Sequence, residues 1–71
     1  MKIEDYVIPG RHYDFDCEYL TPSGRRAEIV GGVVLELLRS GTDTFVILND
    51  NRAVNVRAIT RVIGPYLSEV K

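Results

Sequence analysis

The sequence predicts an all-β fold: a small five-stranded antiparallel barrel with one short helical turn before its last strand. Three observations carry that expectation. Apolar and polar residues alternate with a period of two across Arg11–Leu20 and again across Arg26–Leu37. Turn-forming clusters separate the alternating runs: Thr21-Pro22-Ser23-Gly24, Ser40-Gly41-Thr42-Asp43 and Asn49-Asp50-Asn51-Arg52. Two adjacent glycines, Gly31-Gly32, interrupt the longest run. Glycine weakens a strand but permits a bulge or sharp bend, and a long strand bent midway lets a small sheet curl shut.

Length and composition set the frame. A chain of 71 residues is one domain, with 1–10 and 64–71 expected as flanking segments of the barrel. A domain of this size buries only about 60% of its unfolded surface, so burial against another chain would help it. The one cysteine, Cys17, excludes an internal disulfide and a cysteine-based zinc site. The N-terminus, Met1-Lys2-Ile3-Glu4-Asp5, has no signal-peptide core, and no apolar run is long enough to span a bilayer. The expectation is a cytoplasmic protein with no membrane partner. A formal charge of −1 argues against a domain-wide basic field for nucleic acid, while leaving room for a local arginine patch.

The first ten residues end in the turn pair Pro9-Gly10, and Ile3, Tyr6, Val7 and Ile8 suit a lid over one open end of the core. In Arg11–Leu20, Tyr13, Phe15, Cys17 and Tyr19 point one way and His12, Asp14, Asp16 and Glu18 the other. The aromatic set is the core face, because aromatics pack well on a half-buried pleated surface. Thr21-Pro22-Ser23-Gly24 places proline second and glycine fourth, as a type I turn prefers.

In Arg26–Arg39 the alternation puts Ala27, Ile29, Gly31, Val33, Leu35 and Leu37 on the expected inward face, with Val30, Val34 and Leu38 opposite. A helix over Val33–Arg39 is the rival, since Val30, Val33, Val34, Leu37 and Leu38 also fit helical spacing. Three β-branched valines, the lack of a good N-cap and a length of about two turns favour a strand. Thr44–Asn49 is apolar on both faces: Phe45 and Ile47 on one, Val46 and Leu48 on the other. A hairpin at Asn49–Arg52 leads to Ala53–Arg57 with Val54 and Val56 inward. Arg57-Ala58-Ile59 makes a helical turn, and Thr60–Ile63 is the last strand, stopped by Gly64-Pro65.

This order of elements resembles the SH3-like and Sm-like small barrels over Tyr13–Ile63. The features that carry it are the strand containing Gly31-Gly32 and the ending Val54-x-Val56-x-x-Ile59-x-x-Val62. Where Sm-like proteins carry an acidic residue and an asparagine, and later an Arg-Gly or Lys-His pair, this chain has Ser40-Gly41-Thr42-Asp43 and Val56-Arg57-Ala58-Ile59. The RNA-binding triad of that family is not reproduced. Within the same class, Val54–Val62 followed by Pro65 resembles the end of the Rho-binding antiterminator family, Rof. That resemblance implies an acidic barrel that occupies the RNA-binding surface of a termination factor.

Three groups of side chains are candidate sites. Asp14, Asp16 and Glu18, beside His12, form an acidic strip suited to a protein partner. Along one strand their spacing is about 7 Å, too wide for a single metal ion, so no metal is expected. Arg52, Arg57 and Arg61 could grip phosphates, with Tyr6 or Tyr66 free to stack on bases, as an RNA-binding oligomer would require. Val30, Val34 and Leu38 could form an apolar interface between copies of the chain. No nucleophile with a partner and no phosphate-binding loop is present, since nothing like Lys-Ser/Thr follows Gly31-Gly32. The expectation is a non-enzymatic regulatory binding module without a cofactor, with RNA binding and homo-oligomeric assembly as alternatives.

Overall fold

The computed structural model describes residues 2–5 and 7–66. Five antiparallel strands follow one another: β1 (His12–Thr21), β2 (Gly24–Ser40), β3 (Asp43–Leu48), β4 (Ala53–Asn55) and β5 (Ile59–Tyr66). They form one sheet in the order β4-β3-β2-β1-β5. Two 3-10 turns, Ile3–Asp5 and Val56–Ala58, precede β1 and β5. The second lies one residue earlier than the expected helical turn; Asn55 caps it by accepting from the Arg57 N–H at 2.9 Å. Val33–Arg39 is strand, as the β-branched valines favour.

β2 serves two ladders. Its first part pairs with β1 from Thr21↔Gly24 to His12↔Val33, and its second part pairs with β3 from Val34↔Leu48 to Ser40↔Asp43. Antiparallel partners share a face, so Phe15↔Val30 and Tyr13↔Gly32 send Val30 inward with the aromatic face of β1. Val30 and Val34 are therefore core, whereas Ile29 is 69% exposed and Leu35 51%. This reverses the face expected from the sequence. β2 is apolar on both sides, so alternation alone does not say which side is buried. The interface expected at Val30, Val34 and Leu38 is corrected with it: two of the three are inside the domain, and only Leu38 is exposed.

The break in β2 lies between Val34 and Glu36, where Leu35 is the extra residue opposite the consecutive pair Leu48 and Ile47. Gly31 and Gly32 precede it, and neither has a left-handed φ. Their use is close approach. A Cβ on Gly31 would overlap Asp14 Oδ1, and one on Gly32 would come within 3.2 Å of Asn49 Oδ1. Past the bulge the inward phase moves by one residue, so Leu37 pairs with the buried Val46 and packs on the core.

β5 also runs further than expected, through Gly64-Pro65 to Tyr66. The register steps from Asp14↔Ile63 to His12↔Tyr66, leaving Gly64 and Pro65 opposite Tyr13 alone. Gly64 has φ +126, and a Cβ there would lie 3.0 Å from the His12 carbonyl oxygen and 3.1 Å from the Tyr13 ring. The Gly64-Pro65 peptide is cis. Proline is tolerated because β5 is an edge strand.

One cluster forms the core: Val7, Tyr13, Phe15, Cys17, Val30, Val34, Val46, Leu48, Val54 and Ile59. Each large side chain so buried contributes roughly 1.5–3 kcal/mol. Val54 comes from one edge strand and Ile59 from the other, so the sheet is curved. No β4–β5 ladder closes it among the described residues. Tyr19, expected in the core, is exposed near the end of the β1–β2 ribbon.

The N-terminal segment covers the core as a lid through Val7 and Ile3. It is tied down by Gly10 N–H to the Val34 carbonyl at 2.7 Å and by Ile8 N–H to the Tyr13 hydroxyl at 2.8 Å. Tyr6 and the tail beyond Tyr66 lie outside the described residues.

Candidate protein-binding face

The outer face of β5-β1-β2 gathers most of the candidate residues. Alternation along β1 puts His12, Asp14, Asp16, Glu18 and Leu20 on it. The register adds Ile29 beside Asp16 and Ala27 beside Glu18 from β2, with Arg61, Ile63 and Tyr66 from β5. The acidic strip is thus one contiguous row on three adjacent strands of the sheet.

Each carboxylate in the row already has a partner. Tyr66 donates its hydroxyl hydrogen to Asp14 Oδ2 at 2.7 Å, and its ring lies 5.1 Å from that of His12. Arg61 Nε donates to Asp16 Oδ2 at 3.0 Å, and Arg25 reaches Glu18 at 3.5 Å. The Thr60 hydroxyl donates to the Asp16 carbonyl oxygen, beside the register shift between Asp16 and Cys17. The bond to the Asp14 carboxylate raises the Tyr66 pKa above its ordinary value, because ionisation would place two anions together. Ile29 stands beside this polar row as a large apolar side chain exposed to water.

The arginines are not brought together. Arg52 pairs with Asp50 at 2.6 Å in the β3–β4 turn and also donates to the Gly31 carbonyl oxygen at 3.1 Å. Arg57, in the 3-10 turn, pairs with Asp43 at 3.3 Å, and Arg61 on β5 pairs with Asp16. Asp50 accepts from the Arg52 backbone N–H and lies against its guanidinium, which lowers its pKa. These pairs are solvent-exposed, so each is individually weak.

On the other face, past the end of the core, the Tyr19 hydroxyl donates to Glu28 Oε2 at 3.0 Å. Burial and this bond push the Tyr19 pKa up to about 12. Cys17 is buried beneath, and burial followed by the Glu28 charge raises its thiol pKa. A buried thiol of raised pKa is a poor nucleophile.

Sequence reasoning missed Ile29, which it placed in the core. The signal was present in the turn: a two-residue loop at Pro22-Ser23 sets Thr21 opposite Gly24. Counting back from there pairs Phe15 with Val30 and Asp16 with Ile29. Among the described residues no helix is long and apolar enough to cross a membrane, and no group of three or more His, Cys, Asp or Glu could hold a metal ion. No family model, curated protein or solved structure matches the chain.

Proposed function

We propose that this chain is a small barrel-like, non-enzymatic regulatory module, similar in strand order to the SH3-like and Sm-like barrels, that binds a protein partner through the outer face of β1 and the adjoining sheet edge. The observation that carries the reading is Ile29. It is 69% exposed on the outer face of β2, with Asp16 directly opposite it on β1 and Asp14 and Glu18 diagonal to it. An exposed apolar anchor flanked by polar groups matches the anatomy of protein-binding surfaces, which join an apolar centre to a polar rim. Core residues contributed by both edge strands support the barrel description.

The alternatives have less behind them. An RNA-binding patch needs Arg52, Arg57 and Arg61 to act together, yet each belongs to a different element and holds its own carboxylate. Assembly through Val30 and Val34 would need residues that the core already uses.

The test is affinity capture from the native host with three forms of the chain: wild type, Ile29→Asp and an alanine triple at Asp14, Asp16 and Glu18. A stoichiometric protein retained by wild type and lost from both variants, with their circular dichroism unchanged, is the expected result. Equal recovery with all three forms would refute the reading.

A further inference from the structure

The sheet ends at β5, which among the described residues pairs only with β1. Its other edge presents backbone donors and acceptors along Thr60–Ile63; the Ile59 N–H is taken by the Val56 carbonyl oxygen, and beyond Ile63 the proline of Gly64-Pro65 lacks an N–H. An unpaired edge of four residues is within the length of ordinary strands and can template another by strand addition.

Charge says what kind of strand. From Asn51 to Tyr66 the chain carries Arg52, Arg57 and Arg61 and no Asp or Glu. Both edge strands and the turn that joins them lie in this stretch. The Arg57 and Arg61 side chains are 72% and 69% exposed, and their bonds to Asp43 and Asp16 are surface pairs that a second carboxylate can share. On an added strand, side chains on the outer face would stand beside Arg61, and the intervening ones beside Val62 on the inner face.

We propose that the free edge of β5 takes up an extended acidic segment of the partner as a sixth strand, with carboxylates alternating toward Arg61 and apolar side chains toward Val62. This rests on the reading of the chain as a protein-binding module and specifies which edge acts and what it selects.

The experiment uses the ¹⁵N-labelled chain and acetylated, amidated seven-residue peptides of alternating valine and glutamate, or valine and lysine. The glutamate peptide is expected to shift the backbone amides of Thr60–Ile63. The lysine peptide should bind at least tenfold more weakly, N-methylation of alternate peptide amides should abolish binding, and Arg61→Glu should reverse the preference. Three results would overturn the inference. The lysine peptide could shift Asp14, Asp16 and Glu18 while β5 stays silent, which leaves the module reading standing. Single-stranded oligouridylate could shift the β5 amides where the glutamate peptide does not. No probe could shift β5 at all, in which case the capture experiment with Ile29→Asp judges the module reading separately.

Discussion

The Asp14 carboxylate fills the space that a side chain on Gly31 would need. One oxygen, Oδ1, would overlap a Cβ at Gly31, and the other, Oδ2, accepts from the Tyr66 hydroxyl at 2.7 Å. One carboxylate thereby links β2, β1 and β5 across the outer face.

Gly31→Ala should therefore displace Asp14 and break its bond to Tyr66. We expect a loss of about 1 kcal/mol, read as a lower urea midpoint. With Asp14→Ala already in place, the same change should be neutral or stabilising by up to about 0.5–1 kcal/mol, since alanine loses less backbone entropy than glycine. A double-mutant cycle with a coupling near zero would count against this arrangement.

The reversed face of β2 predicts a contrast between neighbours. Val34→Ala removes core volume and should cost about 2 kcal/mol. Leu35→Ala, on an exposed side chain at the bulge, should change stability by less than about 0.5 kcal/mol. In a domain of this size the first change should lower Tm by roughly 8–16 °C. Equal costs at the two positions would contradict the register.

Tyr13→Phe removes the hydroxyl that accepts from the Ile8 N–H. A loss of about 1 kcal/mol is expected. The more specific readout is hydrogen exchange, where the Ile8 amide should lose protection while amides in the β1–β2 ladder keep theirs. Unchanged protection at Ile8 would show that this bond does not hold the lid.

Tyr19 predicts an alkaline effect. Its pKa is raised from 10.0 to about 12 in the folded chain, so the folded state holds the phenolic proton more tightly than the unfolded state. That contribution is complete below pH 10 and is lost as pH rises from 10 to 12. The ring is exposed, so solvent screening keeps the effect small. Tyr19→Phe should flatten the decline in urea midpoint across this window. The difference between the wild-type and Tyr19→Phe absorbance titrations near 295 nm should show Tyr19 ionising late, and a difference step near pH 10 would count against the Glu28 contact.

The strands were legible because alternation and turn chemistry are local. Tyr13, Phe15 and Cys17 show the buried face of β1, and Asn51, with φ 71, takes the left-handed backbone expected of the Asn49–Arg52 turn. The helical rival over Val33–Arg39 also has a structural origin. The bulge at Leu35 shifts the inward phase, so Val30, Val34 and Leu37 recur at i, i+4 and i+7 within a strand. The candidate carboxylates were legible as a row; their partners on β5 were not. Arg61 meets Asp16 across 45 positions, and Tyr66 meets Asp14 across 52.

By itself, then, the order of residues determined five strands, their turns and the shared face of Asp14, Asp16 and Glu18, because each depends on neighbours a few positions apart. Tertiary pairing decided which side of β2 is buried, where its register breaks and which cations sit on the carboxylates. A strand apolar on both faces has no preferred inside until a partner strand covers one of them, and ion pairs between distant residues exist only once β5 has returned to the edge of β1.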